Sequence, residues 1–185
     1  MDAPALSCPS PRRPRRTGGT LVAAIVLLAG CAAAHQQAVR LPDGTRGLRA
    51  VVTHVVDGDT VDLDISGSTE RARLLGIDTP ETVKPDAPVD CFGPEASART
   101  KALLPSGTAV VIQRDREARD RYGRLLVYVW RQRDRLFIND ALVRDGFART
   151  LSIEPNTAHR ADLAAAMAAA RARSTGLWAT CPPDG

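Results

Sequence analysis

The sequence predicts one mainly β domain with helices, a five-stranded Greek-key barrel that carries three helices. Apolar and polar residues alternate in the first half of the domain, which indicates strands with one buried face. Two later apolar runs are bounded by turn residues, as is typical of strands. Helix-start and helix-stop signals enclose three further segments, one of them rich in alanine.

The first three strands are predicted to follow one another as hairpins. Residues 50–56 are rich in β-branched side chains, and Asp57-Gly58 is a turn signal. Residues 61–65 alternate apolar and acidic side chains, so one face of this hairpin is expected to be buried. After a short turn, residues 71–77 predict the third strand.

A loop, a helix and two strands are predicted next. Residues 79–92 contain three prolines and no apolar period, so we expect a loop there. A helix is expected to begin at Gly93, because a proline in the first turn is well tolerated, and to end before residues 105–107. Residues 108–114 and 124–131 predict the fourth and fifth strands.

The last two helices are predicted to follow the fifth strand. Residues 138–139 carry the signals of a hydrophobic staple and a cap, and Gly146 is expected to end that helix. Asn156 or Thr157 is expected to cap the Ala-rich third helix, which ends near Gly176. Helices after the third and the fifth strand fit a barrel of the OB type.

Residues 1–30 are predicted to be an export signal of the lipoprotein type. A basic cluster precedes a short apolar run and small residues. The run is too short to span a bilayer, which needs roughly 20 residues. Leu28-Ala29-Gly30-Cys31 is similar to a lipobox, in which the cysteine is acylated. The alternative is an ordinary secretory signal, so we expect a protein outside the cytoplasm, either anchored to the membrane through Cys31 or secreted.

The positive charge is concentrated in this predicted signal. The net charge is +4, from 25 basic and 21 acidic residues. Residues 1–30 hold four of the basic residues and one of the acidic ones, so the remainder is nearly neutral. Bulk charge therefore favours neither nucleic acid nor a membrane as a partner. We expect a tether over residues 31–47, one domain over 48–180 and a tail over 181–185, in a monomer.

Two of the four cysteines are predicted to form a disulfide. Cys8 lies in the predicted signal and Cys31 is the candidate for lipidation, which leaves Cys91 and Cys181. A compartment outside the cytoplasm permits such a bond. A zinc site is the alternative, but no histidine stands at ligand spacing from a cysteine.

Three short polar segments interrupt the apolar strands. They cover residues 57–60, 73–81 and 120–124. Each has a plain structural explanation when taken alone, because Asp-Gly is a common turn and a single arginine on a strand is usually solvated. Together they bring the groups that hydrolysis of a phosphodiester requires.

Five side chains in these segments are the candidates for that chemistry. Asp59 and Asp78 end neighbouring strands and offer oxygen ligands to a hard cation such as calcium. Arg73 and Arg124 offer forked donors that match the oxygens of a phosphate. Glu81 can accept a proton from water.

The chain from about residue 49 to Trp178 resembles the staphylococcal nuclease (thermonuclease) family, and this resemblance independently implies the OB fold. Several of the family's motifs are present in order: Val-Val-Asp-Gly-Asp-Thr at 55–60, Arg-Leu-Leu-Gly-Ile-Asp-Thr-Pro-Glu at 73–81, Phe-Gly-Pro-Glu-Ala at 92–96, Asp-Arg-Tyr-Gly-Arg-Leu-Leu at 120–126, Ala-Leu-Val-Arg-Asp-Gly-Phe-Ala at 141–148, and Gly-Leu-Trp at 176–178.

The resemblance implies a metal site and a general base. Asp59 and Asp78 would bind calcium through their carboxylates, and Thr79 through its main-chain carbonyl. Glu81 stands where the family has its proposed general base. Asp57 is expected either to support the metal ligands or to cap the turn.

The resemblance also implies a phosphate site and a nucleotide site. Arg73 and Arg124 would bind the scissile phosphate from two sides, and Arg124 would help the 5′-oxygen to leave. Arg121 and Tyr122 would line the nucleotide site. The implied substrate is DNA or RNA, preferably single-stranded, cut to 3′-phosphate and 5′-hydroxyl products.

The alternative is a catalytically inactive OB-type lipoprotein that binds nucleic acid or protein. An inactive relative would be expected to lose a catalytic or metal residue, yet all five candidates are present. Two departures from the family lie elsewhere. Residues 151–153 replace a pair of stacking tyrosines, and Met167 stands where many relatives have a glutamate.

Overall fold

The computed structural model describes residues 38–82 and 89–182. The predicted export signal, the lipidation candidate Cys31, residues 31–37 of the predicted tether and residues 183–185 of the predicted tail lie outside the described residues.

Strands dominate the first part of the domain and helices the last part. The elements are β1 Val39–Arg40, β2 Arg46–Asp57, β3 Thr60–Ile65, β4 Ser68–Leu74, β5 Gly76–Asp78, α1 Gly93–Leu103, β6 Ala109–Gln113, β7 Leu125–Arg131, β8 Leu136–Phe137, α2 Ile138–Arg144, β9 Arg149–Leu151, α3 Arg160–Ala172 and α4 Leu177–Thr180.

Five of these strands close into a barrel. Strand β2 pairs with β3, and β3 pairs with β4, both antiparallel. Strand β4 pairs with β7 in parallel, β7 pairs with β6, and β6 returns to β2. Closure leaves no free edge between the five strands. The predicted five-stranded OB barrel is therefore confirmed.

Alternation along the strands places the apolar side chains inside this barrel. Val52, Val61, Leu63, Val127 and Val129 are fully buried there. Helices α1 to α3 add their own buried residues to the same core, among them Leu103, Leu142 and Leu163. Burial of this apolar surface is the main stabilising contribution to the fold.

The predicted third strand is two strands. Strand β4 ends at Leu74, and β5 begins at Gly76 and pairs with β9 in a separate two-stranded sheet. Gly76 has φ of +75°, a conformation that favours glycine, and a Cβ there would lie 2.5 Å from Leu163 Cδ1. The break turns the following residues, including Asp78, away from the barrel wall.

The predicted helix caps are wrong for α2 and α3. Asn139 lies inside α2, where its side chain accepts from Val129 N–H at 3.0 Å and donates to Leu75 O at 2.8 Å. Asn156 precedes α3 by several residues, accepts from Glu117 N–H at 2.8 Å and donates to Glu117 O at 3.1 Å. Both amides therefore satisfy main-chain groups of other segments of the chain and cap no helix.

The predicted tether extends too far along the chain. Strand β1 pairs with the start of β2, with Arg40 opposite Arg46, and Leu41 in the turn between them is buried. An apolar side chain that packs on the domain is stabilised by burial, so this hairpin belongs to the domain.

The predicted disulfide between Cys91 and Cys181 is confirmed. Their Cα atoms lie 5.9 Å apart, and the bond spans 90 residues of sequence. It links the residues before α1 to the residue after α4.

Within the described ranges, no helix has the length and apolar character that crossing a membrane requires.

Candidate active site

One guanidinium bridges two carboxylates at the end of the barrel. Asp59 lies in the turn between β2 and β3, Arg73 lies near the end of β4, and Asp78 ends β5. Arg73 Nη2 donates to Asp78 Oδ1 at 2.8 Å, and Arg73 Nη1 contacts Asp59 Oδ2. The interruption between β4 and β5 therefore brings the Asp78 carboxylate next to Arg73 of the preceding strand.

The two carboxylates differ in exposure. The side chains of Asp59 and Arg73 are 11% and 14% exposed, whereas that of Asp78 is 54% exposed. Partial burial raises the pKa of Asp78, Arg73 lowers it, and the nearby charge of Asp59 raises it again, with an upward net effect. Two acidic groups thus share one positive partner.

Thr79 brings further polar atoms to the same place. Its N–H donates to Asp59 Oδ2 at 3.0 Å, while Thr60 Oγ1 donates to Asp59 Oδ1 at 3.0 Å. Thr79 Oγ1 is buried and has no hydrogen-bond partner in the described structure. A Cβ on Gly58 would lie 2.6 Å from that oxygen, so glycine is required for this close approach.

The segment that carries Glu81 is fixed by two aspartates. Asp57 Oδ1 accepts from Thr82 Oγ1 at 2.6 Å, so its carboxylate bonds to this segment. Asp90 Oδ2 accepts from Glu81 N–H at 3.0 Å, and Asp90 N–H donates to Glu81 O at 3.0 Å. Glu81 Oε1 accepts from Thr82 N–H at 3.1 Å.

A cleft of about 510 Å³ opens beside this cluster and holds the second arginine. Arg73, Arg121, Tyr122 and Arg124 all line it. Glu81 does not line the cleft and is joined to it along the chain through Asp78 to Pro80. The structure therefore brings four of the predicted residues to one cleft, and the metal candidates Asp59 and Asp78 adjoin it through their contacts with Arg73.

Arg124 is held in place by Asp120. Its side-chain Nε donates to Asp120 Oδ2 at 2.7 Å, and its main-chain N–H donates to Asp120 Oδ1 at 2.9 Å. Burial raises the pKa of Asp120, but the hydrogen bonds from Arg124 and Tyr122 N–H outweigh it, so that pKa lies below its ordinary value. Charge-assisted pairing of this kind fixes the direction of a guanidinium.

An exposed aromatic ring stands at the mouth of the cleft. The Tyr122 side chain is 68% exposed, and the guanidinium carbons of Arg121 and Arg124 lie 4.7 and 5.6 Å from the centre of its ring. Leu151 and Ile153 line the same cleft and are also exposed. The cleft thus offers an apolar surface next to two positive charges.

Three residues that position the site were not predicted from the sequence. Asp90, Thr82 and Asp120 make the hydrogen bonds that position Glu81 and Arg124. Asp120 stands within one of the polar segments and precedes a Gly-containing turn, which was the available signal. No such signal marks Asp90, because its partner lies across the loop.

No group of three or more His, Cys, Asp or Glu side chains that could bind a metal ion is found in residues 38–82 and 89–182. A cation at Asp59 and Asp78 would therefore need oxygen ligands of another kind, such as a main-chain carbonyl or water.

Comparison with known proteins identifies the family. The family described as "Staphylococcal nuclease homologue" matches residues 71–180. A thermonuclease of Staphylococcus intermedius is 42% identical over 133 residues, which cover 72% of this chain and 77% of that protein. The chain belongs to the staphylococcal nuclease family.

Other relatives agree with this assignment. A thermonuclease of Staphylococcus hyicus is 38% identical over 127 residues, 69% of this chain and 73% of that protein. Endonuclease YncB of Bacillus subtilis (strain 168) is 37% identical over 111 residues, 60% of this chain and 52% of that protein.

Two positions at which this chain departs from other members of the staphylococcal nuclease family, Met167 and the segment 151–153, have their own contacts in the structure. Met167 is partly buried against the core, and its sulfur accepts from Thr150 Oγ1 at 3.4 Å. An apolar contact therefore occupies the position at which a glutamate was expected. Ser152 accepts from Arg160 Nε at 2.7 Å, so this residue is tied to α3 and does not serve as a stacking surface.

Proposed function

We propose that this chain is a calcium-dependent nuclease that hydrolyses phosphodiester bonds in DNA or RNA. The observation that carries the proposal is the cluster of Asp59, Arg73 and Asp78 at the end of a cleft that also holds Arg124. The relatives named thermonuclease and endonuclease support the same activity.

Two guanidinium groups fit a phosphate in this cleft. Arg73 and Arg124 both line it, and each is oriented by carboxylates of the chain. Forked donors match the oxygens of a phosphate, and their charge stabilises the extra negative charge that develops during hydrolysis. Arg73 would exchange its contacts with Asp59 and Asp78 for the phosphate when substrate enters.

The residues at the end of the cleft fit a calcium ion. Asp59 and Asp78 offer carboxylate oxygens and Thr79 its main-chain carbonyl, which are the hard donors that calcium prefers. The buried Thr79 Oγ1, which has no hydrogen-bond partner in the described structure and lies beside Gly58, supports a polar ligand at this place. When bound, calcium supplies positive charge next to the phosphate and favours deprotonation of water.

Glu81 is the proposed general base. Its main chain is held by Asp90, and the next residue is held by Asp57. A fixed carboxylate takes the proton from water as the water oxygen attacks phosphorus. The bond from phosphorus to the 5′-oxygen breaks, and that oxygen gains a proton near Arg124. The products are a 3′-phosphate and a 5′-hydroxyl.

Arg121 and Tyr122 are proposed to bind the nucleotide. The exposed ring of Tyr122 offers a stacking surface, and the cleft is open enough for a base from a single strand. The sequence of residues 1–31 further supports export, followed by secretion or lipid anchoring at Cys31.

Digestion of single-stranded DNA by the purified chain tests this proposal. We expect cleavage with calcium and none with a calcium chelator, and we expect Glu81→Gln to lower kcat by at least about 100-fold. Arg133→Gln, which changes an exposed arginine outside the cleft, serves as the control. Cleavage that survives chelation, or a fully active Glu81→Gln variant, would overturn the metal or base assignment respectively.

A further inference from the structure

A second cleft of about 530 Å³ lies outside the site described above. Arg46, Arg114 and Arg116 line it, and all three are exposed. None of them forms an ion pair with a carboxylate in the described part of the chain. Nine of the other sixteen arginines in the described residues form an ion pair: Arg71, Arg73, Arg99, Arg119, Arg124, Arg131, Arg133, Arg144 and Arg160.

The strand register aligns these charges in a row. Arg40 in β1 stands directly opposite Arg46 in β2. Leu48 of β2 stands opposite Ile112 of β6, and Arg46 and Arg114, each two residues beyond this pair, line the same cleft. Like charges directly opposite each other on neighbouring strands destabilise a sheet. An anionic ligand would remove this repulsion.

Among the described residues, one carboxylate lines this cleft, and it already accepts hydrogen bonds. Asp115 Oδ2 accepts from Ala158 N–H at 2.9 Å, and Tyr128 Oη donates to the same oxygen at 3.4 Å. These donors fix the carboxylate but leave its charge in place. Among the described residues that line the cleft, three guanidinium groups stand against this one carboxylate, so the local charge is positive although the domain as a whole is nearly neutral.

The two clefts share one segment of the chain. Arg114, Arg116 and Ala118 line the arginine cleft, and Glu117 and Asp120 line the catalytic cleft. Asn156 holds this segment through both main-chain groups of Glu117, so its position is fixed. A nucleic-acid strand that extends from the catalytic cleft across residues 114–120 would reach Arg46, Arg114 and Arg116.

We infer that Arg46, Arg114 and Arg116, with Arg40 beside them, form a second phosphate-binding site for the sugar–phosphate backbone of the strand that occupies the catalytic cleft. The inference rests on the proposed nuclease function and extends it to substrate length. OB-type domains bind roughly 4–16 nucleotides, so a bound strand is expected to extend beyond the catalytic cleft. Exposed arginines bind phosphates without reading base sequence.

The test compares long and short substrates. The variant Arg46→Gln/Arg114→Gln/Arg116→Gln is assayed with calcium on a 20-nucleotide oligo(dT) and on a thymidine dinucleotide. KM for the long substrate is expected to rise roughly tenfold or more, with kcat and the KM for the dinucleotide unchanged. An equally large change with the dinucleotide, or no change with the long substrate, would overturn the inference.

A binding measurement separates this inference from the nuclease proposal. Fluorescence anisotropy of labelled oligo(dT) without calcium needs no cleavage, and the slope of log affinity against log salt is expected to fall by about 2 in the triple variant. Arg133→Gln/Arg135→Gln/Arg173→Gln removes the same charge outside both clefts and is the matched control. Equal losses in both variants would overturn the second site even if the nuclease activity stands.

Two further readouts address other roles for these arginines. Since the row is repulsive, the triple variant is expected to keep or raise the melting temperature, whereas a structural role would lower it. The occupant is expected to be nucleic acid, because the cleft is concave and adjoins the catalytic cleft. Loss of binding to vesicles with 30% anionic lipid, with unchanged oligonucleotide binding, would overturn the inference in favour of a membrane surface.

Discussion

Asp90 holds the main chain of Glu81 at two points. Asp90 Oδ2 accepts from Glu81 N–H at 3.0 Å, and Asp90 N–H donates to Glu81 O at 3.0 Å. The next residue, Cys91, is bonded to Cys181 at the other end of the domain. The proposed general base is therefore positioned from the side of the disulfide as well as from the barrel through Asp57.

Asp90→Ala is expected to lower kcat without a comparable change in KM. Loss of the side-chain acceptor frees the Glu81 main chain, and a displaced catalytic group can lower the rate by about 100-fold. Asp90→Asn keeps an acceptor and is expected to retain most of the activity. Steady-state kinetics on a single-stranded oligonucleotide measure this, with exposed Asp162→Ala as the control. An Asp90→Ala variant with wild-type kcat would contradict a positioning role.

Removal of the disulfide is expected to destabilise the domain. The bond closes a loop of 90 residues, and replacing both cysteines, Cys91→Ser/Cys181→Ser, should lower the free energy of unfolding by about 2–4 kcal/mol. Denaturant titration measures this difference. A reducing agent should have the same effect on the wild type and none on the double variant; equal stability of the two proteins would count against the expectation.

Asp134 is expected to make the domain sensitive to acid. The hydrogen bonds from Arg131 hold the pKa of Asp134 at about 2, below the ordinary 3.8. Because the pKa is lowered in the folded state, the charged carboxylate stabilises the fold above pH 3.8, and this contribution is lost as the pH falls towards 2. Denaturation midpoints between neutral pH and pH 2 should fall less steeply for Asp134→Asn than for the wild type. Parallel curves would show that the pair does not contribute.

The barrel and the helix positions could be predicted because their signals are local. The alternation in residues 61–65 and the Pro and Gly that bracket α1 determine those elements almost alone. The caps of α2 and α3 were mispredicted because Asn139 and Asn156 bond to other elements of the chain. Those partners are distant in sequence, so tertiary contacts overrode the local preference.

In the candidate site too, contacts set by neighbouring strands could be predicted from the sequence, whereas contacts across a loop could not. Asp59 and Arg73 lie next to each other because Thr60, the residue after Asp59, pairs with Arg73 across β3 and β4, which a hairpin pattern predicts. Asp90 was missed because its partner Glu81 lies across a loop that has no sequence period. Contacts of that kind depend on the course of the loop, which turn residues alone do not specify.

Ile153→Tyr is expected to tighten the binding of single-stranded DNA. Ile153 is 63% exposed and lines the same cleft as Tyr122, so a second aromatic ring there is expected to stack on a base. Stacking on an aromatic side chain contributes roughly 1–3 kcal/mol per base. Anisotropy of a labelled oligonucleotide measures the gain, with Ile153→Leu as the control for shape. No gain over that control would mean that bases do not reach this wall.

The most direct test of the account is a double-mutant cycle on the two arginines of the catalytic cleft. If Arg73 and Arg124 bind the same phosphate, the losses in kcat/KM of Arg73→Gln and Arg124→Gln should not add in the double variant, with a coupling of about 0.5–3 kcal/mol. Losses that add within about 0.3–0.5 kcal/mol would mean that the two guanidinium groups act independently, and would contradict the proposed site.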